Sequence, residues 1–153
     1  MFTQSSKLNF IASILACLLS TSQADEKALV IDHTDSSLKW GGCPAFIGEG
    51  CQIAVLHGDP AKKNLDIFFK VPSDFMIPHH WHTSAERMIL VSGNMTVTYD
   101  NQESELIKTG QYAYGPAKRP HKAYCEKGDN PCVLFIAFEE PLDAHQVMKA
   151  TSK

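Results

Sequence analysis

The chain has 153 residues, of which 44% are hydrophobic and 20% are charged, and its formal charge is −3. This composition is typical of a globular protein of one domain, and it excludes collagen-like, coiled-coil and largely disordered chains. No basic run is long enough to follow a phosphate backbone, and no apolar run reaches about 18 residues, so neither nucleic-acid binding nor a multi-pass membrane protein is expected.

The first 24 residues have the order of segments found in a secretory signal peptide. A short polar start with Lys7 precedes an apolar run over residues 8–19, and small residues follow at Ser22 and Ala24. The apolar run is too short to span about 30 Å of hydrocarbon as a helix. We therefore predict cleavage after Ala24, export to the periplasm or the medium, and no stable insertion into the membrane.

A lipoprotein signal is the competing interpretation, because residues 14–17 end in Cys17 and resemble a lipobox. Leu15 is bulky at a position that usually holds a small residue, and the apolar run continues beyond the cysteine. The cleaved signal peptide is therefore the preferred prediction.

Export makes the remaining cysteines candidates for disulfide bonds. They are Cys43, Cys51, Cys125 and Cys132. An even number of cysteines in a small exported domain is typical of disulfides, and three connectivities are possible. The short-range pairs Cys43–Cys51 and Cys125–Cys132 are the simplest. A zinc site built on cysteines is less favoured, because the chain has no C-x-x-C pair.

After residue 25, short apolar runs alternate with turn residues, which is the pattern of an all-β sandwich or barrel. We predict strands at residues 52–56, 65–71, 76–82, 87–91, 95–99, 104–108, 111–114, 121–125 and 132–138. Gly93 and Asn94 both tolerate positive φ and predict a hairpin. The polar residues 141–153 suggest a short helix with a frayed end. The aromatic residues expected in the core are Trp81, Tyr112, Tyr114, Phe135 and Phe138.

The segment around residue 80 carries the candidate chemistry. On a strand over residues 76–82, His80 and His82 point to the same face about 6.6 Å apart, so that both imidazoles can reach one metal. Glu86 follows after a short turn, and His121 opens a later strand. Three imidazoles and one carboxylate favour Fe, Mn, Ni, Cu or Zn over Ca or Mg.

The other histidines are not expected to be ligands. His79 points to the opposite face of the predicted strand, where it is exposed or supports a ligand. His33, His57 and His145 lack neighbours of ligand type in the sequence.

Two spaced motifs carry a family resemblance. The pattern His80-x-His82-x-x-x-Glu86-x-x-x-x-x-x-Gly93 is similar to the first cupin motif, and Gly110-x-x-x-x-x-Pro116-x-x-x-x-His121 is similar to the second. Residues 94–109 separate them. The runs at 55–60 and 77–82 resemble a subgroup of small single-domain bacterial cupins, some of them similar to the cupin half of anti-sigma proteins. The resemblance covers about residues 38–139.

The resemblance implies an all-β fold in one domain over residues 25–153, a double-stranded β-helix or jelly-roll barrel. It also implies that His80, His82, Glu86 and His121 bind one divalent transition metal ion inside the barrel, and that the protein forms a homodimer.

Three positions depart from the family pattern. Asp74 and Lys118 stand where glycine is usual, and Cys125 replaces an asparagine. Residues 121, 123 and 125 share a face of an unbroken strand, so the Cys125 sulfur could lie near the pocket, although the disulfide to Cys132 is preferred.

A metal held by these four side chains keeps open positions for water, dioxygen or a small molecule. We expect a metal-dependent enzyme of the dioxygenase class that acts on a small organic molecule. The motif supplies no evident general base, so a nearby tyrosine or a metal-activated water would have to serve. The alternative is a non-catalytic cupin that binds or senses a small ligand or the metal, since one fold hosts unrelated functions. A barrel with a vacant site is less favoured, because ligand-type residues fill all four positions.

Overall fold

The computed structural model describes residues 26–148. The predicted signal peptide, its cleavage site and Cys17 lie outside the described residues. Residues 26–30 have no regular secondary structure, and residues 31–148 belong to one compact unit. None of the described residues forms a helix long and apolar enough to cross a membrane.

The described part of the chain contains eleven strands and no helix. The strands are β1 (Trp40–Gly42), β2 (Gln52–His57), β3 (Leu65–Val71), β4 (Phe75–Trp81), β5 (Glu86–Ser92), β6 (Asn94–Tyr99), β7 (Glu105–Lys108), β8 (Tyr112–Gly115), β9 (His121–Cys125), β10 (Cys132–Phe138) and β11 (His145–Gln146). Each predicted strand is present with nearly the predicted bounds, because the apolar runs and turn residues that mark strands are local signals.

The strands form two antiparallel sheets. One has six strands in the order β1-β2-β3-β10-β5-β8, and the other has five in the order β11-β4-β9-β6-β7. Strands that are distant in sequence are neighbours in both sheets, as in β3 with β10 and β4 with β9. The result is the expected all-β jelly roll, whose main core combines side chains of both sheets.

Strand β10 shows how the six-stranded sheet buries both of its faces. Leu134 and Ile136 belong to the main core, whereas Val133 and Phe135 pack in a smaller cluster on the other face. Leu38 of the segment before β1 packs in that smaller cluster. Full burial of such aliphatic side chains stabilises the fold by about 1.5–3 kcal/mol each.

A register shift in β4 changes which of its side chains face inward. Ile77 pairs with Ala123 but His80 pairs with His121, so β4 has one more residue than β9 across this interval. Such a bulge reverses the alternation, and both Ile77 and His80 are buried although they are three positions apart. Pro78 lies inside the bulge, where its missing N–H costs no ladder hydrogen bond.

Both short-range cysteine pairs lie at disulfide distance. The Sγ atoms of Cys43 and Cys51 are 1.94 Å apart, and those of Cys125 and Cys132 are 2.02 Å apart. The second pair joins the end of β9 in one sheet to the start of β10 in the other. Its sulfurs are thus committed to each other, and the alternative of a Cys125 thiolate near the pocket has no support.

Three sequence expectations are wrong. Residues 141–148 form no helix, and β11 in this segment instead pairs with β4. Tyr112 and Tyr114 are not core residues, since they are 62% and 54% exposed on the edge strand β8. Strands β1 and β11 escaped prediction because they are short and form only by pairing with β2 and β4.

Candidate metal centre

Three histidines converge inside the barrel. His80 lies on β4, His82 follows directly after that strand, and His121 opens β9 opposite His80. Their ring centroids are 4.3 Å apart for His80 and His121, 4.8 Å for His80 and His82, and 5.5 Å for His82 and His121. One nitrogen of each ring lies within 4.8 Å of the other two, so the three side chains could hold a metal ion.

Backbone carbonyls orient all three imidazole rings. Each Nδ1 faces one carbonyl oxygen: Pro78 at 2.7 Å from His80, Asp143 at 2.5 Å from His82, and Arg119 at 3.2 Å from His121. A carbonyl can only accept a hydrogen bond, so Nδ1 carries the proton in each neutral ring and Nε2 keeps its lone pair. Metal-binding histidines are typically oriented in this way.

Glu86 places a buried carboxylate beside the histidines. It is the first residue of β5 and only 5% exposed. Its Oε1 lies 3.4 Å from Nε2 of His82, and its Oε2 lies 3.7 Å from Nε2 of His121. Four electron-pair donors therefore face one another in a buried place, an arrangement that a bound cation would stabilise. The residues fit a divalent transition metal for this reason.

Burial keeps two of the imidazoles uncharged. Burial, together with the neighbouring His121 and His82, lowers the pKa of His80 to about 3. Burial also lowers the pKa of His121, although the Glu86 charge opposes this change. Neutral imidazole is the form that ligates a metal, so the environment prepares these rings for that role.

The four side chains border a cavity of about 370 Å³ inside the barrel. Most of its wall is aliphatic or aromatic, with contributions from both sheets such as Ile53, Ile67, Phe69, Met95 and Leu134. Apart from the histidines and Glu86, its polar side chains are those of Tyr99 and Asp143. No lysine or arginine is among the described residues that line it.

Tyr99 was not identified from the sequence as a residue of the site. It ends β6 directly opposite His121 and is only 7% exposed, with its ring centroid 4.8 Å from that of His121. Its hydroxyl is buried and has no hydrogen-bond partner among the described residues. Burial, and then the Glu86 charge, raise the pKa of Tyr99, so the phenol keeps its proton. The alternation of β6 could have revealed it, since Met95, Val97 and Tyr99 share the inward face.

Gly115 leaves the space that Tyr99 and Glu86 share. It ends β8 and pairs with Glu86 across the sheet. A Cβ atom at Gly115 would lie 2.5 Å from the Tyr99 hydroxyl oxygen and 2.9 Å from Oε2 of Glu86. Only glycine therefore allows both side chains to occupy their present positions.

The segment before β11 supports His82. Besides the carbonyl contact already described, the carboxylate of Asp143 accepts a hydrogen bond from the Thr83 backbone N–H at 2.8 Å. Strand β11 itself pairs with Trp81 and His80 through His145 and Gln146. No local sequence signal indicates this role, because the contacts join residues about 60 positions apart.

The structure places two of the remaining histidines away from the cluster. His79 contacts Asp100 at 2.9 Å on the outside of the barrel, and His145 stacks on Trp81 with ring centroids 4.1 Å apart. Neither joins the group that could hold a metal.

Residues 67–138 match the family model described as the cupin domain. A polyketide cyclase from Streptomyces resistomycificus has a similar structure, with a TM-score of 0.65 and 17% identity over 82% of this chain and 89% of that one. A cupin 2 domain-containing protein from Halorhodospira halophila has a TM-score of 0.58 and 18% identity over 66% of this chain and 72% of that one.

The DMSP lyase DddQ from Ruegeria pomeroyi has a TM-score of 0.59 and 14% identity over 71% of this chain. The chain spans only 60–63% of the length of the two DMSP lyase structures that it matches. A search of curated proteins found no match. At these identities the structural similarity shows the fold alone, and the reactions of these proteins are not thereby assigned to this chain.

Proposed function

The chain belongs to the cupin superfamily, and we propose that it is a metal-dependent enzyme, of the dioxygenase class, that acts on a small organic molecule. The observation that carries this proposal is the convergence of three imidazoles and one buried carboxylate at an otherwise apolar cavity. A DMSP lyase, a polyketide cyclase and an oxalate decarboxylase are among its structural neighbours, which supports an enzymatic role.

The proposed ligands are His80, His82, Glu86 and His121, and the proposed cofactor is one Fe, Mn, Zn, Ni or Cu ion. When bound, such an ion supplies Lewis acidity or redox chemistry. The mixed set of nitrogen and oxygen donors supports a transition metal over Ca or Mg. The carbonyl contacts at each Nδ1 hold the rings in place, so that little reorganisation accompanies metal binding.

The protein would contribute in two further ways. The apolar wall excludes bulk water from the reacting molecule, which strengthens the electrostatic interactions inside the cavity. Tyr99 is the nearest candidate for proton chemistry, but its raised pKa makes it a hydrogen-bond donor rather than a general base.

Export to an oxidising compartment is part of the proposal. Two cysteine pairs at disulfide distance support it, because disulfides persist in the periplasm and outside the cell and are rare in the cytosol.

The alternative is a cupin that binds a small ligand without converting it. The same apolar cavity supports it, because none of the described residues around the cavity supplies an evident general base. Turnover of a bound molecule separates the two functions, since the binding protein would return it unchanged.

Metal content is the first test. We expect about one transition metal ion per chain in protein purified from an exporting host without chelators, measured by plasma mass spectrometry. The double variant His80→Ala/His82→Ala should hold almost none while the barrel stays folded. The control is His79→Ala, which removes a histidine of the same strand that contacts Asp100 instead. Stoichiometric metal in the double variant would show that the ligand assignment is wrong.

A further inference from the structure

We propose that the cavity takes a molecule with an apolar body and a single polar end that carries an oxygen atom, and that the Tyr99 hydroxyl donates a hydrogen bond to that oxygen. The inference rests on the proposed function, because it names the class of molecule that the same site accepts.

The first support is the unpartnered hydroxyl of Tyr99. The side chain is 7% exposed and borders the cavity, and its oxygen has no hydrogen-bond partner among the described residues. A buried polar group without a partner is costly, so such groups are rare in native proteins unless a ligand or water satisfies them. A phenol hydroxyl has one O–H donor, which can offer a hydrogen bond to an acceptor.

The second support is the distribution of polar groups around the cavity. The ring centroids of Tyr99 and His121 are 4.8 Å apart. Glu86 lies beside both residues: its Oε2 is 3.7 Å from Nε2 of His121, and a Cβ atom at Gly115 would contact both this oxygen and the Tyr99 hydroxyl. The polar side chains are thus gathered at the histidine cluster. The rest of the wall is apolar, and it includes Ile53, Ile67 and Phe69 of the six-stranded sheet.

The charges around the cavity limit the ligand further. No lysine or arginine is among the lining residues that the structure describes, and the charged side chains there are the carboxylates of Glu86 and Asp143. An anionic group on the ligand, away from the histidines, would be buried without a cationic partner at a high cost. The ligand therefore has its polar atoms at one end.

The size of the cavity sets the length of the apolar body. An engineered protein cavity of about 150 Å³ binds benzene. The cavity here is about 370 Å³. It has room for a substituted ring or a comparable aliphatic group, with volume left for the polar end.

Three small probes test the inference on the full protein loaded with zinc, which is silent in redox chemistry. Acetophenone has an apolar ring and one acceptor oxygen. α-Methylstyrene has the same shape but a methylene group in place of the oxygen. Acetone keeps the oxygen but lacks the ring. Affinities are measured by isothermal titration calorimetry, and zinc content is measured on the same samples.

We expect acetophenone to bind the wild-type protein about fivefold more tightly than α-methylstyrene, the gain typical of one neutral hydrogen bond. Acetone should bind at least tenfold more weakly than acetophenone, because it buries little apolar surface. Tyr99→Phe should remove the difference between acetophenone and α-methylstyrene and leave zinc content unchanged. Tyr112→Phe, which removes the hydroxyl of a tyrosine that is 62% exposed, is the matched control and should retain the difference.

Failure of this inference and failure of the proposed function give different results. If the protein holds zinc but Tyr99→Phe retains the preference for acetophenone, the role of Tyr99 is refuted. If acetone binds as tightly as acetophenone, or if no probe binds, the ligand class is refuted. If the wild-type protein takes up no metal, the proposed function fails, whatever the three probes do.

Discussion

A methyl group at Gly115 should disturb the candidate metal centre without altering any proposed ligand. The Cβ atom of Gly115→Ala would lie 2.5 Å from the Tyr99 hydroxyl oxygen, 2.9 Å from Oε2 of Glu86 and 3.4 Å from Cβ of Glu86. The first two distances are shorter than real contacts of a Cβ atom, so both side chains must move. Gly115 is not among the glycines with positive φ, so the backbone itself accepts alanine and the effect is steric.

The magnitude follows from which atoms must shift. The phenol oxygen must move by about 1 Å and the carboxylate oxygen by about 0.5 Å to reach ordinary van der Waals separations. Extra volume of this kind in a packed interior typically costs about 1–3 kcal/mol of unfolding free energy. Displacement of Glu86 should also weaken metal binding by about 10-fold to 100-fold, the usual effect of changing a residue that orients a metal site.

Two assays separate these effects. Guanidinium unfolding of the metal-free protein measures the steric cost, and competition with a chromophoric chelator measures metal affinity. Gly128→Ala is the control, because a Cβ atom there would have no neighbour within 4 Å. In the double variant Gly115→Ala/Tyr99→Phe the shortest contact disappears, so stability should recover in part while the metal affinity remains low. Wild-type affinity and stability in Gly115→Ala would refute the reasoning.

Two further predictions concern the disulfide between the sheets and the pH dependence of stability. The variant Cys125→Ser/Cys132→Ser should lose about 2.5 kcal/mol of unfolding free energy by the loop-entropy estimate. It should keep its metal content, because neither cysteine borders the cavity. Loss of metal without loss of stability would contradict this prediction. The second prediction concerns the metal-free protein. Burial, with the neighbouring His121 and His82, lowers the pKa of His80 from 6.5 to about 3. Below pH 6.5, His80 is therefore protonated in the unfolded chain but stays neutral in the folded protein. As the pH falls from 7 to 5, this difference should lower the free energy of unfolding by about 2 kcal/mol. Urea unfolding of wild type and His80→Gln at several pH values measures the effect, because the variant should lack this part of the pH dependence. Identical pH profiles of stability in the two proteins would refute the prediction.

The strands could be predicted because their signals are local. In the run at 65–71 every second residue is apolar, as is typical of a strand with one buried face. Gly93 marks the turn between β5 and β6 and adopts a φ of 80°. Asp74 and Lys118 stand where the family pattern has glycine, and both adopt the positive φ that glycine favours, 62° and 60°. The backbone keeps the left-handed turn even where the sequence lacks the residue that best suits it.

The strand at His80 shows where local reasoning was insufficient. Strict alternation over residues 76–82 would place Met76 on the inward face, yet Met76 is 55% exposed and Ile77 is buried. The register shift beside Pro78 is responsible, and it depends on the partner strand β9, which lies some 40 residues further along the chain. His80 reaches the interior all the same, because the predicted pattern and the bulge agree from residue 80 onward.

The all-β class, the positions of most strands and the four candidate ligands could be predicted from the sequence alone, because period-two apolar patterns, turn residues and two spaced motifs each occupy a short stretch of chain. Three features became evident from the folded chain: Tyr99 and Gly115 lie at the site, the Asp143 carbonyl orients His82, and no lysine or arginine is among the described residues that line the cavity. These features arise from pairing and packing between distant strands. A short stretch of sequence does not indicate which distant strands will pair, so the residues that line the cavity are known only from the folded chain.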